Sequence, residues 1–263
     1  MKNYSGIHPT ALIGENVSIG EGVSIGPRSI VYDNVELGDN CVVGADVTLG
    51  EPTAAIHADP DNYENPPLVI GAGAHIRSAS ILYAGSTFGP RLETGHRVTI
   101  RENTKTGENF RVGTVSDIQG HCEFGDFVRL HSNVHIGQQS RIGNYVWIFP
   151  YVVLTNDPHP PSDLLVGCVV EDFAVIATMS VILPGVRIAK DALIGAGSIV
   201  LEDVGEEDVI VGNPGKRVAS VRDIKSKQDD TAVYPWRYHF DRGMPWEDIG
   251  YEQWSAGRKR ESR

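Results

Sequence analysis

The feature that most constrains this chain is a repeat of six residues. Apolar residues recur at every sixth position from Ile7 to Leu49, from Ile70 to Leu154 and from Val170 to Val200, giving eight, fifteen and six hexads. The residue four places after each start is usually small or β-branched, as at Ala11 and Ser198. This period matches neither the 3.6 residues of an α-helix nor the simple alternation of a strand, so it requires a geometry of its own.

A short strand followed by a tight turn satisfies a six-residue period. Three such units close a triangular coil of about 18 residues, in which the start residue and its small partner point inward and Gly or Asn occupies the corners. At the roughly 4.8 Å spacing of paired strands, the repeats predict about ten coils and a prism on the order of 45 Å long. The expected fold is therefore an all-β parallel β-helix over residues 1–218.

The rhythm breaks twice, and both breaks predict loops that leave the prism. The first spans about residues 51–69 and is rich in Pro, Asp and Asn, and the second spans about residues 155–169 and begins "TNDPHPP". A solenoid has smooth faces, so a pocket has to be built from such excursions and from neighbouring subunits. We interpret the second excursion as the wall of a cleft; a surface loop without function is the alternative.

Charge and composition exclude several classes of function. The net charge of −11 argues against nucleic acid as a partner. No apolar run approaches the roughly 20 residues of a membrane span, and the first residues lack the apolar segment of a signal peptide, so no membrane and a cytoplasmic location are expected. Cys41 and Cys122 fall at the inward small position, which predicts core cysteines. Cys168 lies near the end of the second excursion, but no motif around it supports a covalent mechanism.

The hexads, closing with "VILPGVRIAKDALIGAGSIVLEDVGEEDVIVGNPGKRV", resemble those of the hexapeptide-repeat acyltransferases, which fold as left-handed parallel β-helices. The resemblance covers about residues 7–217. Within that family, "TGHRVTIRENTKTGENFRVGT", "LHSNVHIG" and "LTNDPHPP" resemble segments of enzymes that N-acetylate nucleotide-linked amino sugars. The resemblance implies a homotrimer with active sites between subunits, acetyl-CoA as the co-substrate lying along the C-terminal coils, and no metal.

Transfer of an acyl group from a thioester needs a proton acceptor, a donor for the oxyanion and close placement of both substrates. Histidine suits the first task because its ordinary pKa is about 6.5. The hexad register places the two histidines of "LHSNVHIG" outside the inward positions and near the second excursion, together with neighbouring polar residues. The expected catalytic residues, gathered near one edge of the prism, are His131, Asn133, His135, Asn156 and Asp157. Two alternatives stay open: the departing thiolate could accept the proton without any base, and Asp157 could simply cap a turn.

The two substrates are expected at different places. For the donor, the resemblance implies small outward residues in the coils after the second excursion and basic residues at the end of the prism, which match Ala177, Thr178, Gly195, Ala196, Lys216 and Arg217. For the acceptor, the arginines of "GHRVTIRE" suit a diphosphate and its glutamate suits a sugar hydroxyl or amine, which predicts His96, Arg97, Arg101 and Glu102. For the charged residues of both sets, solvated surface charge is the simpler interpretation.

After residue 218 the hexads stop, and we expect residues 219–263 to form a short helical and aromatic C-terminal extension, with the helix and a linker in "SVRDIKSKQDD". The segment "YPWRYHFDRGMPWEDIGYEQW" holds three of the four tryptophans of the chain. So aromatic a segment predicts packing on the prism or on a neighbouring subunit, with stacking on a substrate base as the alternative.

The sequence leaves other functions open. O-acetylation of a sugar or antibiotic hydroxyl is the closest alternative. A γ-class carbonic anhydrase would use His96, His131 and His135 on zinc, although the spacing of four between the last two departs from that family's spacing of five. A non-catalytic β-helix scaffold is the third.

Overall fold

The computed structural model describes residues 6–261. It is a β-solenoid whose short strands form three parallel sheets of ten, nine and eleven strands, which we call faces 1, 2 and 3. Successive strands of the chain visit the three faces in turn, so strands that pair on one face are usually 18 residues apart, as Asp117 and His135 are. The solenoid and the all-β class predicted from the six-residue period are confirmed.

Most strands contain only two residues, since a hexad must also hold a corner. Face 1 consists of Leu12–Ile13, Ile30–Val31, Thr48–Glu51, Ile81–Tyr83, Thr99–Ile100, Asp117–Ile118, His135–Ile136, Val153–Leu154, Val181–Ile182 and Ile199–Val200. Face 2 consists of Ser18–Ile19, Val35–Leu37, Leu68–Ile70, Thr87–Phe88, Lys105–Thr106, Glu123–Phe124, Arg141–Ile142, Val169–Val170 and Arg187–Ile188.

Face 3 consists of Ser24–Ile25, Val42–Val43, His75–Ile76, Glu93–Thr94, Arg111–Val112, Arg129–Leu130, Trp147–Ile148, Val175–Ile176, Leu193–Ile194, Asp208–Val211 and Lys216–Ser220. Its last strand runs antiparallel to Asp208–Val211 and so ends the parallel winding.

The inward columns are as dry as the repeat predicts. The hexad starts Ile100, Ile118 and Ile136 on face 1 are fully buried, and so are the small partners Ser80 and Ser180. The hydroxyl groups of these serines donate to the carbonyl oxygens of Gly95 and Gly195, so they leave no unpaired polar group in the core. The residue just before each hexad start points away from the core, and these outward columns are free to carry chemistry.

The corners adopt the left-handed backbone conformation. Asn34, Asn40 and Asn103 have φ values of 61°, 57° and 57°. Bulky residues also occupy such corners, including Phe127, Tyr145 and Phe173 at the edge between faces 2 and 3. There Tyr145 stacks between the other two rings, with centroids 5.7 and 5.0 Å away.

Both excursions leave the prism at the same edge. The first runs from the face 1 strand Thr48–Glu51 to the face 2 strand Leu68–Ile70 and contains the 3₁₀-helix Ala54–His57. The second runs from Val153–Leu154 on face 1 to Val169–Val170 on face 2. Five strand spacings separate their origins on face 1, or roughly 24 Å. Face 1 is therefore bracketed by the excursions along one of its edges.

The C-terminal extension packs on the chain's own prism. It contains the 3₁₀-helices Val221–Asp223 and Trp236–Tyr238 and the α-helix Tyr251–Glu261. Trp236, Met244 and Trp246 are buried against the ring column of Phe127, Tyr145 and Phe173. The buried pair Arg237–Asp191 clasps the extension to a corner of the prism. No helix among residues 6–261 is long and apolar enough to cross a membrane.

Candidate active site

A histidine–carboxylate pair lies on the outer surface of face 1. His135 precedes the inward Ile136 and therefore projects outward, directly opposite Asp117 of the previous coil. The Nδ1 atom of His135 lies 3.1 Å from Oδ2 of Asp117, and the Gln119 amide donates to the same oxygen at 2.8 Å. These hydrogen bonds, that of His135 foremost, hold the pKa of Asp117 below its ordinary value. A histidine whose Nδ1 donates to a carboxylate presents Nε2 as an acceptor, the arrangement that a general base requires.

His131 has different surroundings. It follows the face 3 strand Arg129–Leu130 at the edge toward face 1, and its ring stacks on Phe149 at 4.5 Å between centroids and an interplanar angle of 15°. Partial burial lowers the pKa of His131. No carboxylate orients its ring in the described part of the chain. The two histidines therefore differ in their surroundings, since a carboxylate orients His135 and an aromatic ring packs against His131. Their positions in the hexad alone did not indicate which of them is the better candidate for a base.

The remaining expected catalytic residues do not gather at one edge, and that expectation was wrong. Asn133 occupies a left-handed corner, with φ of 59°, on the edge between faces 3 and 1. Asn156 and Asp157 start the second excursion, which leaves at the edge between faces 1 and 2. Face 1, with His135 on it, separates them. The cause is the triangular section of each coil, in which six residues of chain carry the backbone to the next edge.

Asp157 shapes the second excursion. Its carboxylate accepts hydrogen bonds from the backbone N–H of His159 at 3.0 Å and from the N–H and hydroxyl of Ser162 at 3.0 and 2.7 Å. The hydroxyl bond is the chief reason why the pKa of Asp157 is lowered. This geometry is that of a turn-forming aspartate, which was the simpler of its two interpretations.

The acceptor residues predicted from "GHRVTIRE" belong to one coil that crosses from the edge onto face 1. His96 and Arg97 are exposed at the edge between faces 3 and 1, where His96 Nδ1 lies 2.7 Å from the Ser78 hydroxyl. Arg101 and Glu102 follow the face 1 strand Thr99–Ile100, at the edge toward face 2, and bind each other through two contacts of 2.8 and 3.0 Å. Arg101 also lies over the ring of Tyr83, 5.8 Å from its centroid. This arginine is therefore already paired, whereas Arg97 is available to solvent.

The expected donor residues line the same edge as His131. Ala177 and Thr178 follow the strand Val175–Ile176, and Gly195 and Ala196 follow Leu193–Ile194, so both pairs lie at the edge between faces 3 and 1. Lys216 and Arg217 are exposed in the last strand, where Arg217 pairs with Asp208. A long, thin ligand could follow this edge from the end of the prism to the coil of His131 and His135.

The cysteines contribute nothing to this surface. All three are buried with no exposed area. Burial raises the pKa of Cys122 to about 11 and that of Cys168 to about 12, so neither is a thiolate at neutral pH. Among residues 6–261, no group of three or more His, Cys, Asp or Glu side chains is arranged to hold a metal ion.

Asp117 is the functional candidate that sequence reasoning missed. The signal was present, because Asp117 precedes His135 by 18 residues, and that spacing places two outward side chains side by side on one face. A search for polar pairs 18 residues apart would have found it.

Comparison with known proteins agrees with the repeat. Residues 16–51 match the family model described as bacterial transferase hexapeptide (six repeats). A UDP-N-acetylglucosamine O-acyltransferase of Rhizobium johnstonii, whose printed name gives an acyl carrier protein as the acyl donor, is 28% identical over 217 residues, 80% of this chain and 68% of that protein. A 2,3,4,5-tetrahydropyridine-2,6-dicarboxylate N-acetyltransferase of Clostridium perfringens is 43% identical over 74 residues, 28% of this chain and 30% of its own length.

A third relative, the bifunctional protein GlmU of Carboxydothermus hydrogenoformans, is 25% identical over 210 residues. That alignment covers 77% of this chain and 42% of the relative, so the chain spans less than half of the length of two of these three relatives. The hexad repeat, the three-faced parallel solenoid and the matched model agree that the chain contains hexapeptide repeats similar to those of bacterial transferases.

Proposed function

We propose that the protein transfers an acetyl group from acetyl-CoA to the amine of a nucleotide-linked amino sugar. The observation that carries the proposal is the His135–Asp117 pair, held outward on the face that the two excursions bracket. The relatives support acyl transfer, because the names of two of them state an acyl or acetyl transfer and one names a UDP-linked sugar as acceptor.

In this mechanism the amine attacks the thioester carbonyl carbon while His135 Nε2 takes the proton that the nitrogen loses. A C–N bond forms, and the tetrahedral intermediate then collapses with cleavage of the C–S bond. The imidazolium passes its proton to the departing CoA thiolate, which leaves as the thiol. Asp117 keeps the ring in position and stabilises its charged form. His131 is the second candidate for the base.

The other predicted residues hold the substrates. The amide side chains of Asn133 and Asn156 flank the face and fix the acceptor, and Asp157 shapes the excursion beside it. His96, Arg97, Arg101 and Glu102 lie in the coils before His135, on the acceptor side. The pantetheine arm runs along Ala177, Thr178, Gly195 and Ala196, and Lys216 and Arg217 meet the CoA phosphates. We propose a homotrimer, in which a neighbouring prism closes the open side of face 1; light scattering would then report three times the chain mass of 28.6 kDa.

O-acylation is the second candidate function. It is favoured by the Rhizobium relative, which is named as an O-acyltransferase and aligns with 80% of this chain. The same base serves both reactions, since a hydroxyl needs its proton removed at least as much as a neutral amine does.

The test is mass spectrometry of the full chain incubated with acetyl-CoA and a panel of nucleotide-linked amino sugars and their hydroxyl counterparts, with thiol release measured in parallel. Acetylation of an amino sugar alone supports the proposal. Acetylation of a hydroxyl compound selects the second function. Absence of thiol release with every acceptor overturns acetyl-CoA-dependent transfer. The assay is then repeated with acyl carrier protein thioesters to test for another donor. Carbon dioxide hydration after zinc addition would indicate a carbonic anhydrase, and failure of both assays would indicate a scaffold.

A further inference from the structure

A groove of about 560 Å³ lies on face 3. Of the predicted catalytic residues, His131 alone lines it. Its floor is the outer surface of the strands from Glu93–Thr94 to Trp147–Ile148. One wall is formed by Phe240, Arg242 and Gly243 of the C-terminal extension, and the other by His131 and Phe149 at the edge toward face 1. Prism and extension therefore build the groove together.

One end of the groove is aromatic. Trp147, Phe149 and Phe240 line it and also line an adjoining apolar recess of about 380 Å³. Phe240 meets Trp147 edge-on, with centroids 5.7 Å apart. The indole N–H of Trp147 is buried and has no acceptor among the described residues. A flat heteroaromatic ring would stack on the aromatic side chains at this end.

The charged residues of the groove are mostly basic. Arg111, Arg129 and Arg242 line it against the single carboxylate of Glu93, an excess of two positive charges in a chain whose net charge is −11. Such a local reversal of sign favours an anionic ligand.

The three arginines have different tasks. Arg129 is buried and donates to the backbone oxygens of Asn109 and Gly243, so it fixes the extension in place. Arg111 shares Glu93 with Arg77 and keeps nearly half of its side chain exposed. Arg242 is exposed and contacts the Phe240 ring, and within residues 6–261 it pairs with no carboxylate. Arg242 is therefore available for a phosphate group, and the half-exposed Arg111 can add a second contact beside its ion pair with Glu93.

We propose that this groove binds a nucleoside diphosphate, with the base against Trp147, Phe149 and Phe240 and the phosphates at Arg111 and Arg242. The inference rests on the proposed function, in which such a moiety can come from the nucleotide-linked acceptor or from the adenosine end of CoA. The groove lies close to the proposed reaction site, because His131 in its wall is only four residues from His135, a span of at most about 14 Å. It also gives the diphosphate a different seat from the paired Arg101.

The test measures binding without any reaction. Isothermal titration of the full chain with UDP, dTDP, ADP and CoA is compared for wild type, Arg111→Gln, Arg242→Gln and Trp147→Phe. Each arginine variant should weaken nucleoside diphosphate binding about 10- to 100-fold, the value of a charge-assisted hydrogen bond. Arg141→Gln, which removes an exposed arginine on face 2, is the matched control and should bind as wild type does. Thermal unfolding of every variant checks that the fold is kept.

Competition identifies the source of the diphosphate. If UDP or dTDP binds and CoA does not displace it, the groove serves the acceptor; if CoA displaces it, the groove serves the donor. Failure of every nucleotide and of CoA to bind, or equal affinity of wild type and both arginine variants, overturns the inference. Acetyl transfer together with unchanged nucleotide affinity in the arginine variants would overturn the assignment of this groove but leave the proposed function in place. Nucleotide binding that is lost in the arginine variants, together with no transfer from any donor, would support the groove and overturn the proposed function.

Discussion

Faces 1 and 3 are built from the same hexads but present opposite surfaces. Their inward columns are alike, since Ile118 and Ile136 on face 1 and Ile148 and Ile176 on face 3 are all fully buried. Their outward columns differ, with Asp117 and His135 on face 1 and Arg129 and Trp147 on face 3. Face 3 is covered by the C-terminal extension, and no comparable cover from the described chain lies on face 1. The repeat therefore determines the core and leaves each face free to carry its own chemistry.

The largest expected effect is a difference in catalytic activity between alanine variants of the two histidines, His135 on face 1 and His131 at the groove on face 3. His135→Ala should lower kcat/KM by about 10²- to 10⁴-fold, because it removes the proposed base from face 1. His131→Ala removes a ring that lies on Phe149 at the groove wall, so it should raise KM more than it lowers kcat. Steady-state kinetics with the acceptor found by mass spectrometry checks both.

His8→Ala is the matched control, because His8 lies in the first coil, several coils before the strands that carry both sites. If His131→Ala is the variant that abolishes turnover while His135→Ala stays within tenfold of wild type, the assignment of chemistry to face 1 is wrong. If neither slows turnover by more than about tenfold, both histidines fail as the base.

The next effect concerns the cover on face 3. Arg237→Met leaves the Asp191 carboxylate buried without its cation, and we expect a loss of about 3–5 kcal/mol in the free energy of unfolding of the extension. The Arg237 guanidinium also lies 4.7 Å from the Phe173 ring, which the variant loses as well. Urea titration followed by tryptophan fluorescence measures the loss, since three of the four tryptophans are in the extension. Arg141→Met, which breaks an exposed pair on face 2, should leave the transition in place.

The size of that loss should depend on pH. Burial raises the pKa of Asp191 above its ordinary value, against the opposing influence of Arg237. The folded state then keeps a proton that the unfolded state has lost, so ionisation of Asp191 costs stability as pH rises through this window. Without Arg237 the pKa of Asp191 rises further, so this pH window widens. The difference in unfolding free energy between variant and wild type should therefore be smaller at about pH 4.5 than at about pH 7. Equal differences at the two values would show that the Asp191 charge is not what the arginine compensates.

The smallest effect compares equivalent outward positions. Val175 on face 3 is 8% exposed beneath the extension, whereas Val153 on face 1 is only partly buried. Val175→Thr should cost about 1–2 kcal/mol because it buries a hydroxyl group, and Val153→Thr should stay within about 0.5 kcal/mol of wild type. Thermal unfolding measures both. Equal losses would mean that face 1 is covered too, for example by a neighbouring subunit.

The period of the repeat was enough to predict the solenoid, the inward residues and both excursions. Those features follow from local geometry, in which each hexad repeats one strand and one corner. The left-handed sense of winding stays a prediction. The position of Asp117 beside His135 was also within reach, because it depends on the same 18-residue spacing.

The groove on face 3 could not be predicted in this way. The C-terminal extension has no period, so nothing in its sequence indicates which face it covers or that Phe240 meets Trp147. The burial of Arg129 follows from that docking, since an outward arginine would otherwise be solvated. His131 and Asn156 lie at different edges for a related reason: each coil turns through a corner after every hexad, and spacing along the chain does not by itself give the edge.

The 18-residue alignment of the outward columns sets a rule for insertions and deletions in this chain. Removal of one complete coil between the excursions would shorten the prism yet return every later side chain to its own face. Removal of a single hexad would keep every apolar residue inward, and the protein could still build a core, but each later column would move to the next face. If that hexad lay between Asp117 and His135, the two side chains would no longer stand side by side. An insertion or deletion therefore preserves the core when its length is a multiple of six residues. It preserves the face of every later side chain only when its length is a multiple of eighteen.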